Sequence, residues 1–217
     1  MNKIMTKLEQ NWIELTKKYV ADENIVKKYF NDITEKYTES NRFYHNLEHI
    51  SEMIDFINLN KNIIEDFDSI MFSVWFHDYE YNPLMTDNEE KSANKAKSFL
   101  KEISYDREKY KIIYRNILRT ANHSEFKRKD NTDLRLFLDS DIMIFASDNE
   151  KYSLYSENIR KEYSFIQEFR YNKGRIKVLK KFLKNKYIFH LKEHRQMYDE
   201  IARKNIKNEI EILSGKL

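Results

Sequence analysis

Two histidines four residues apart, His45 and His49, lie in the stretch RFYHNLEHISEMIDFI at 42–57. A His77-Asp78 pair closes the apolar run IMFSVWF at 70–76, and Asp139 and Asp141 sit in a later apolar run as LDSDI. On a helix, a spacing of four puts two imidazoles on one face, about one turn apart. Neutral imidazole and carboxylate are the ligands that borderline and hard divalent cations accept. A carboxylate at an apolar position such as Asp141 is costly to bury unless it is paired or binds a cation. Taken together, His49, His77, Asp78 and Asp141 read as a metal centre drawn from distant helices. The bland alternative is a set of buried Asp–His hydrogen bonds without metal.

Helices are the elements that must position these groups. The chain has 217 residues with 2 Gly, 1 Pro and no Cys. Turn-rich β architectures need glycine and proline at their corners, so this scarcity predicts an all-α protein. Ile4, Leu8, Trp12, Leu15 and Tyr19 predict an amphipathic helix over 3–20, and Asp22 reads as the N-cap of the next. Leu47, Ile50, Met53, Ile54 and Ile57 form a core-facing stripe, with His49 beside it and His45 at or near the helix start. Residues 67–76 are apolar almost all round, which predicts a central helix delivering His77-Asp78 at its C-terminal end. Pro83 sits in the exit loop, and Thr86 with Glu89 reads as a capping box. Further helices are expected over 107–121, 134–145 and 150–169; Gly174 punctuates, and helices over 175–189 and 194–213 complete the set. The expected organisation is a single domain over 1–217, with a core at about 40–145 and flanking helices at 1–38 and 150–214.

Composition excludes several classes of function. Net charge is only +3, from 39 basic and 36 acidic residues, which is not the footprint of a binder of long nucleic acid. No apolar run is long enough to cross a bilayer and no signal peptide is seen, so no membrane partner is expected. The lack of cysteine removes thiolate metal sites and fits a reducing, cytoplasmic setting.

These residues carry a resemblance. His49…His77-Asp78…Asp141 resembles the H…HD…D pattern of the HD-domain superfamily of metal-dependent phosphohydrolases. YHNLEH at 44–49 is also similar to the YHNxxH signature of the cyclic-nucleotide phosphodiesterases in that superfamily. Closer still is a bacterial group of predicted metal-dependent HD phosphohydrolases, whose elements occur here in order. They are YHNLxHI at 44–50, WFHDxxYxP at 75–83, NExxSA at 88–93, TxxH at 120–123, DxD at 139–141, IRxEY at 159–163, GR at 174–175 and ARxN at 202–205. The resemblance spans about residues 40–210. It implies an HD-domain-like helical bundle with extra N- and C-terminal helices.

Carried over residue by residue, the resemblance implies that His49, His77, Asp78 and Asp141 bind the first divalent metal and that His45 is the general acid. A cation at such a site activates water and takes up charge on phosphoryl oxygens, while a histidine one turn away can protonate the leaving oxygen. His45 otherwise reads as a helix-capping or hydrogen-bonding residue. His123 suits a substrate-phosphate contact, a second-metal ligand or a surface histidine. Glu89 suits its capping box or the orientation of water at the metal. Arg42, Arg160 and Arg175 are the phosphate-binding candidates, since guanidinium grips phosphate bidentately. Asp139 reads as structural, Tyr79 and Tyr81 as packing or base-stacking groups. His190 and His194 read as members of a solvated helix, because Lys192, Glu193 and Arg195 surround them.

The expected function is hydrolysis of a small phosphate ester or anhydride, with a nucleotide as the leading substrate class. One or two metals are expected, drawn from Mn²⁺, Mg²⁺, Fe²⁺, Co²⁺, Ni²⁺ and Zn²⁺, all of which accept His and carboxylate. No counterpart of the phosphodiesterases' purine-selecting glutamine is evident, which counts against cyclic-nucleotide specificity. The alternatives are a non-catalytic nucleotide-binding or regulatory module that keeps the metal for structure, and a di-iron oxygenase. Exposed Tyr and Phe stripes on the terminal helices suggest a homodimer.

Overall fold

The computed structural model describes residues 2–217. Among them there are ten α-helices and no β-strand, so the all-α expectation holds. The chain divides into two compact units, Met1–Ala121 and Asn122–Leu217. The division falls inside the 40–145 span read from the sequence as one core. No helix among the described residues is long and apolar enough to cross a membrane.

The first unit holds α1 (Asn2–Thr16), α2 (Glu23–Tyr37), α3 (Leu47–Leu59), α4 (Phe67–Phe76), α5 (Asn88–Glu102) and α6 (Arg107–Thr120). Helix α4 is central. Every residue from Ser69 to Phe76 is buried, and α3, α5 and α6 all pack against it. Asp66 caps it through the Ser69 amide. Around it lies an aromatic core in which Trp12 meets Phe72, Trp75, Phe76 and Phe99 at ring distances of 5.2–6.3 Å. The Trp12 indole N–H donates to the Val26 carbonyl at 2.9 Å, so its polar atom is satisfied inside the core. Helix α1 stops at Thr16 instead of running to 20, and the Thr16 hydroxyl bonds back to the Trp12 carbonyl at 2.7 Å. Such back-bonding slightly weakens the helical ladder. Asp22 caps α2 as expected, accepting from Asn24 N–H.

The second unit holds α7 (Thr132–Asp141), a 3₁₀ turn (Met143–Ala146), α8 (Asn149–Glu162), α9 (Glu168–Lys184) and α10 (Lys192–Ser214). Helix α10 packs on α8, α9 and the 3₁₀ turn. Three boundary expectations are corrected here. The helix over 134–145 ends at Asp141 and tightens into the 3₁₀ turn. The helix over 150–169 ends at Glu162, and Gly174 does not punctuate: it lies inside α9. A helical glycine costs about 1 kcal/mol relative to alanine. Burial of Tyr171, Ile176, Leu179 and Phe182 on the same helix outweighs it.

Candidate metal centre

Three ligand-type side chains converge in the first unit. One ligand atom each from His49, His77 and Asp78 lies within 4.8 Å of the others. His49 is in the first turn of α3, whose N-cap Asn46 accepts from the amides of Glu48 and His49. His77 caps the C-terminal end of α4, and Asp78 follows it. Both imidazoles are buried, and their ring centres are 5.4 Å apart.

The hydrogen bonding of His77 decides its chemistry. Its Nδ1 lies 2.9 Å from the Val74 carbonyl oxygen, which can only accept, so Nδ1 carries the proton. In the neutral ring, Nε2 then presents a lone pair. That lone pair lies 3.1 Å from Asp78 Oδ2. Two electron-rich atoms at this distance need a proton or a cation between them: a proton on the ring or on the carboxyl, or a bound ion. A carbonyl bond to the far nitrogen is also the usual way in which a metal-ligating histidine is oriented. The donor set therefore fits a divalent cation that takes nitrogen and oxygen ligands.

The surroundings hold this group in register. Arg42, 6% exposed, donates to the carbonyls of His45 (3.3 Å), Asp78 (2.6 Å) and Tyr79 (2.8 Å), and to Glu39 (3.3 Å). Its guanidinium, read from the sequence as a phosphate ligand, thus ties the loop before α3 to the turn after α4. The Asp78 amide donates to the Tyr37 hydroxyl at 3.1 Å. Ser92 Oγ accepts from the Glu80 amide at 2.9 Å, and the Asn88 side chain both accepts from and donates to the Asn82 backbone. Asn88 and Ser92 belong to the NExxSA element, so the sequence signal for them was present but carried no role. The capping box at Thr86 and Glu89 is not formed. Asp87 is the N-cap and makes no side-chain cap bond, because Asn88 anchors the preceding loop in that position. Glu89 is half-buried in the first turn of α5 and is outside the ligand group.

His45 precedes the N-cap of α3, so the two histidines do not share a helix face as their spacing suggested. The chain turn nonetheless brings their rings to 6.1 Å. The His45 ring stacks on Tyr81 at 4.2 Å, and Tyr44 lies 4.9 Å from His49. Tyr79 packs: it is buried and donates its hydroxyl to Asp32 at 2.8 Å. Burial and that bond hold its phenol well above the ordinary tyrosine range.

Asp141 and His123 belong to the second unit. Asp141 is the last residue of α7, and its Oδ2 lies 2.6 Å from His123 Nε2. The two candidate ligands from this unit are therefore partners of one another. Asp139 is fully buried and accepts from the amides of His190 and Leu191 and from His194 Nδ1 at 2.7 Å. His190 and His194 are 1% and 2% exposed, which corrects the solvated-helix reading. The charged residues between them face outward while the imidazoles turn inward. His190 Nε2 meets the His123 carbonyl at 2.8 Å, and its ring stacks on Phe126 at 4.3 Å.

The other two phosphate candidates have protein partners. Arg160 donates to the carbonyls of Tyr163 (2.6 Å) and Ile166 (3.0 Å), closing the C-terminal end of α8. Arg175 is ion-paired with Glu209 at 2.8 Å and donates to the Tyr155 hydroxyl at 3.0 Å.

Comparison with known proteins adds no assignment: no protein-family model, no curated protein and no solved structure matches this chain.

Proposed function

We propose that this protein is a metal-dependent phosphohydrolase acting on a small phosphate ester or anhydride, with nucleotides as the leading substrate class. The observation that carries the reading is the carbonyl-held His77, whose Nε2 faces Asp78 beside His49. The ordered motif set in the sequence supports hydrolysis over simple metal storage. When bound, a divalent cation supplies activated water and a sink for phosphoryl charge.

The chain's own residues do the rest. His49, His77 and Asp78 hold the cation; Asp141, which the motif implied as a further ligand, pairs with His123. His45 donates a proton to the leaving oxygen, a role that stacking on Tyr81 serves by limiting the ring's rotation. Arg42 fixes the backbone on which His45 and Asp78 stand. A purely structural metal has no need of a proton donor beside it, so His45 separates the catalytic reading from the binding-module reading.

The test is phosphate or nucleoside release from monophosphates, triphosphates, cyclic nucleotides and guanosine polyphosphates. It is run with Mn²⁺, Mg²⁺, Co²⁺ or Ni²⁺, with Asp78→Ala as control and with metal content measured on the same samples. Metal-dependent hydrolysis that disappears in Asp78→Ala is the expected result. Metal-loaded protein that hydrolyses nothing in the panel would sink the nucleotide reading, and protein that takes up no metal would sink the centre itself. Metal content of Asp141→Ala tests separately whether the remaining aspartate of the motif contributes.

A further inference from the structure

The near-neutral charge of the whole chain averages two unlike units. Asn122–Leu217 holds 21 basic and 15 acidic side chains, whereas Met1–Ala121 holds 18 and 21. Much of the basic excess stands on one helix. Arg170, Lys173, Lys177, Lys180, Lys181 and Lys184 of α9 are all exposed, and at 3.6 residues per turn they fall within about 100° of its circumference. At 1.5 Å per residue the row is about 21 Å long. The opposite side of the helix, with Tyr171, Ile176, Leu179 and Phe182, is buried within the unit.

Among the described residues, no carboxylate pairs with any of the six. The one acidic residue of α9, Glu168, faces Lys216 instead, at 4.0 Å. Lysines of the first unit are placed differently: Lys7, Lys18, Lys91 and Lys95 meet Asp55, Asp68, Asp87 and Asp32 at 2.5–3.0 Å. The α9 row also works against the helix that carries it. Lys173 with Lys177, Lys177 with Lys181 and Lys180 with Lys184 are like-charge pairs at i,i+4, which destabilise a helix. Arg170 lies in the first turn, where the helix dipole disfavours a cation. Gly174 lies beside the row, one turn from both Arg170 and Lys177, and a Cβ there would meet nothing within 4 Å. Nothing inside the protein therefore calls for these charges or for that glycine. At the edge of the row, Phe169 is 50% exposed, and Lys173 Nζ lies 4.2 Å from its ring centre.

We infer that the outer face of α9 binds single-stranded nucleic acid, with phosphates along the basic row and a base stacked on Phe169. A straight row of cations without carboxylate partners is complementary to a chain of regularly spaced phosphates, and a basic stripe along one helix is the electrostatic footprint of such binding. The gap at Gly174 lets a phosphate or sugar approach the helix backbone. The exposed Phe169 ring beside cations is the stacking platform that a single strand can use and a duplex, its bases enclosed, cannot. A membrane surface fits less well: a helix lying on a bilayer inserts its apolar face, and that face of α9 is committed to the core. The inference stands independently of the metal centre.

Fluorescence anisotropy of a labelled oligothymidine of about twenty nucleotides, titrated with the full chain without added metal, tests it. Saturable binding is expected at low salt, with log K falling against log salt at a slope of about −3 to −4. Lys177→Gln combined with Lys181→Gln should weaken binding about tenfold and flatten the slope by about 1.4. That variant removes a like-charge pair, so its helix content by circular dichroism should equal the parent's. Phe169→Leu should weaken binding about fivefold or more. Lys27→Gln combined with Lys28→Gln, an equal loss of charge on α2, should change neither affinity nor slope. No saturable binding at low salt overturns the inference, as do equal losses in the α9 and α2 variants or unchanged affinity in Phe169→Leu. A duplex of the same length, or phosphatidylserine vesicles, bound as tightly as the single strand would overturn it too.

Discussion

Each unit builds an assembly from histidine and aspartate, and the two do different things. In the first, His77 gives one nitrogen to a helix carbonyl and turns the other toward Asp78, beside the buried His49. In the second, Asp139 is surrounded by donors: two backbone amides at the entry to α10 and the Nδ1 of His194. A carboxylate that receives backbone amides at a helix N-terminus is stabilised as an anion without any cation. The first assembly sets a ring lone pair against a carboxylate, which a proton or a cation can bridge; the second balances its acceptor with donors and anchors α7 to α10. Residue type alone does not separate a metal centre from a structural anchor. The backbone groups that meet each side chain do.

Five measurements would break or sharpen that contrast. The largest effect is expected from Asp78→Ala, which should weaken metal binding by at least about 10²-fold, more than loss of a supporting group costs. Metal titration checks it, and wild-type affinity would mean that the first assembly is another anchor. His45→Ala should keep its metal yet slow turnover by about 10²–10⁴; unchanged turnover at full metal occupancy removes the proton-donor role. In the second unit, Asp139→Ala strands two amides and an imidazole, and should cost about 3–5 kcal/mol in urea denaturation. Its folded form should retain wild-type affinity at the His49–His77–Asp78 group, and a parallel loss of metal would erase the distinction. Arg42→Lys should weaken metal binding about tenfold, since an ammonium cannot span three carbonyls as the guanidinium does.

The smallest effect concerns pH. Burial holds the phenols of Tyr152 and Tyr155 above the ordinary tyrosine range, and that of Tyr171 at about 12. Above about pH 10 the unfolded chain gives up these protons first, so it binds fewer than the native state and stability must fall. Their contribution is whole below about pH 10 and is lost as pH climbs through the raised native values. Tyr152→Phe should flatten the alkaline limb of a stability profile while leaving metal affinity at neutral pH unchanged.

Much of the scaffold was legible in the chain. The unbroken apolarity of 67–76 marked α4 as central, and Asp22 marked the start of α2, because hydrophobic periodicity and capping are local properties. The same locality placed His49 beside the core-facing stripe of its helix and His77-Asp78 at the C-terminal end of the central one. It misled where a local signal competed with packing. Gly174 looked like a break and is helical, because buried neighbours on α9 outweigh its propensity. The charges around His190 and His194 looked solvated, yet both imidazoles are buried.

By itself, then, the sequence determined that this protein is helical, which faces of its helices are buried, and which side chains are chemically able to bind metal. Only the tertiary structure decided the partners of the buried polar groups: that Arg42 holds three carbonyls and that Asp139 is saturated by amides and an imidazole. The reason is range. Helix formation and amphipathicity are set within a few residues, whereas the environment of a buried polar group is made by segments tens of residues away, and it is that environment which fixes proton, charge and chemistry.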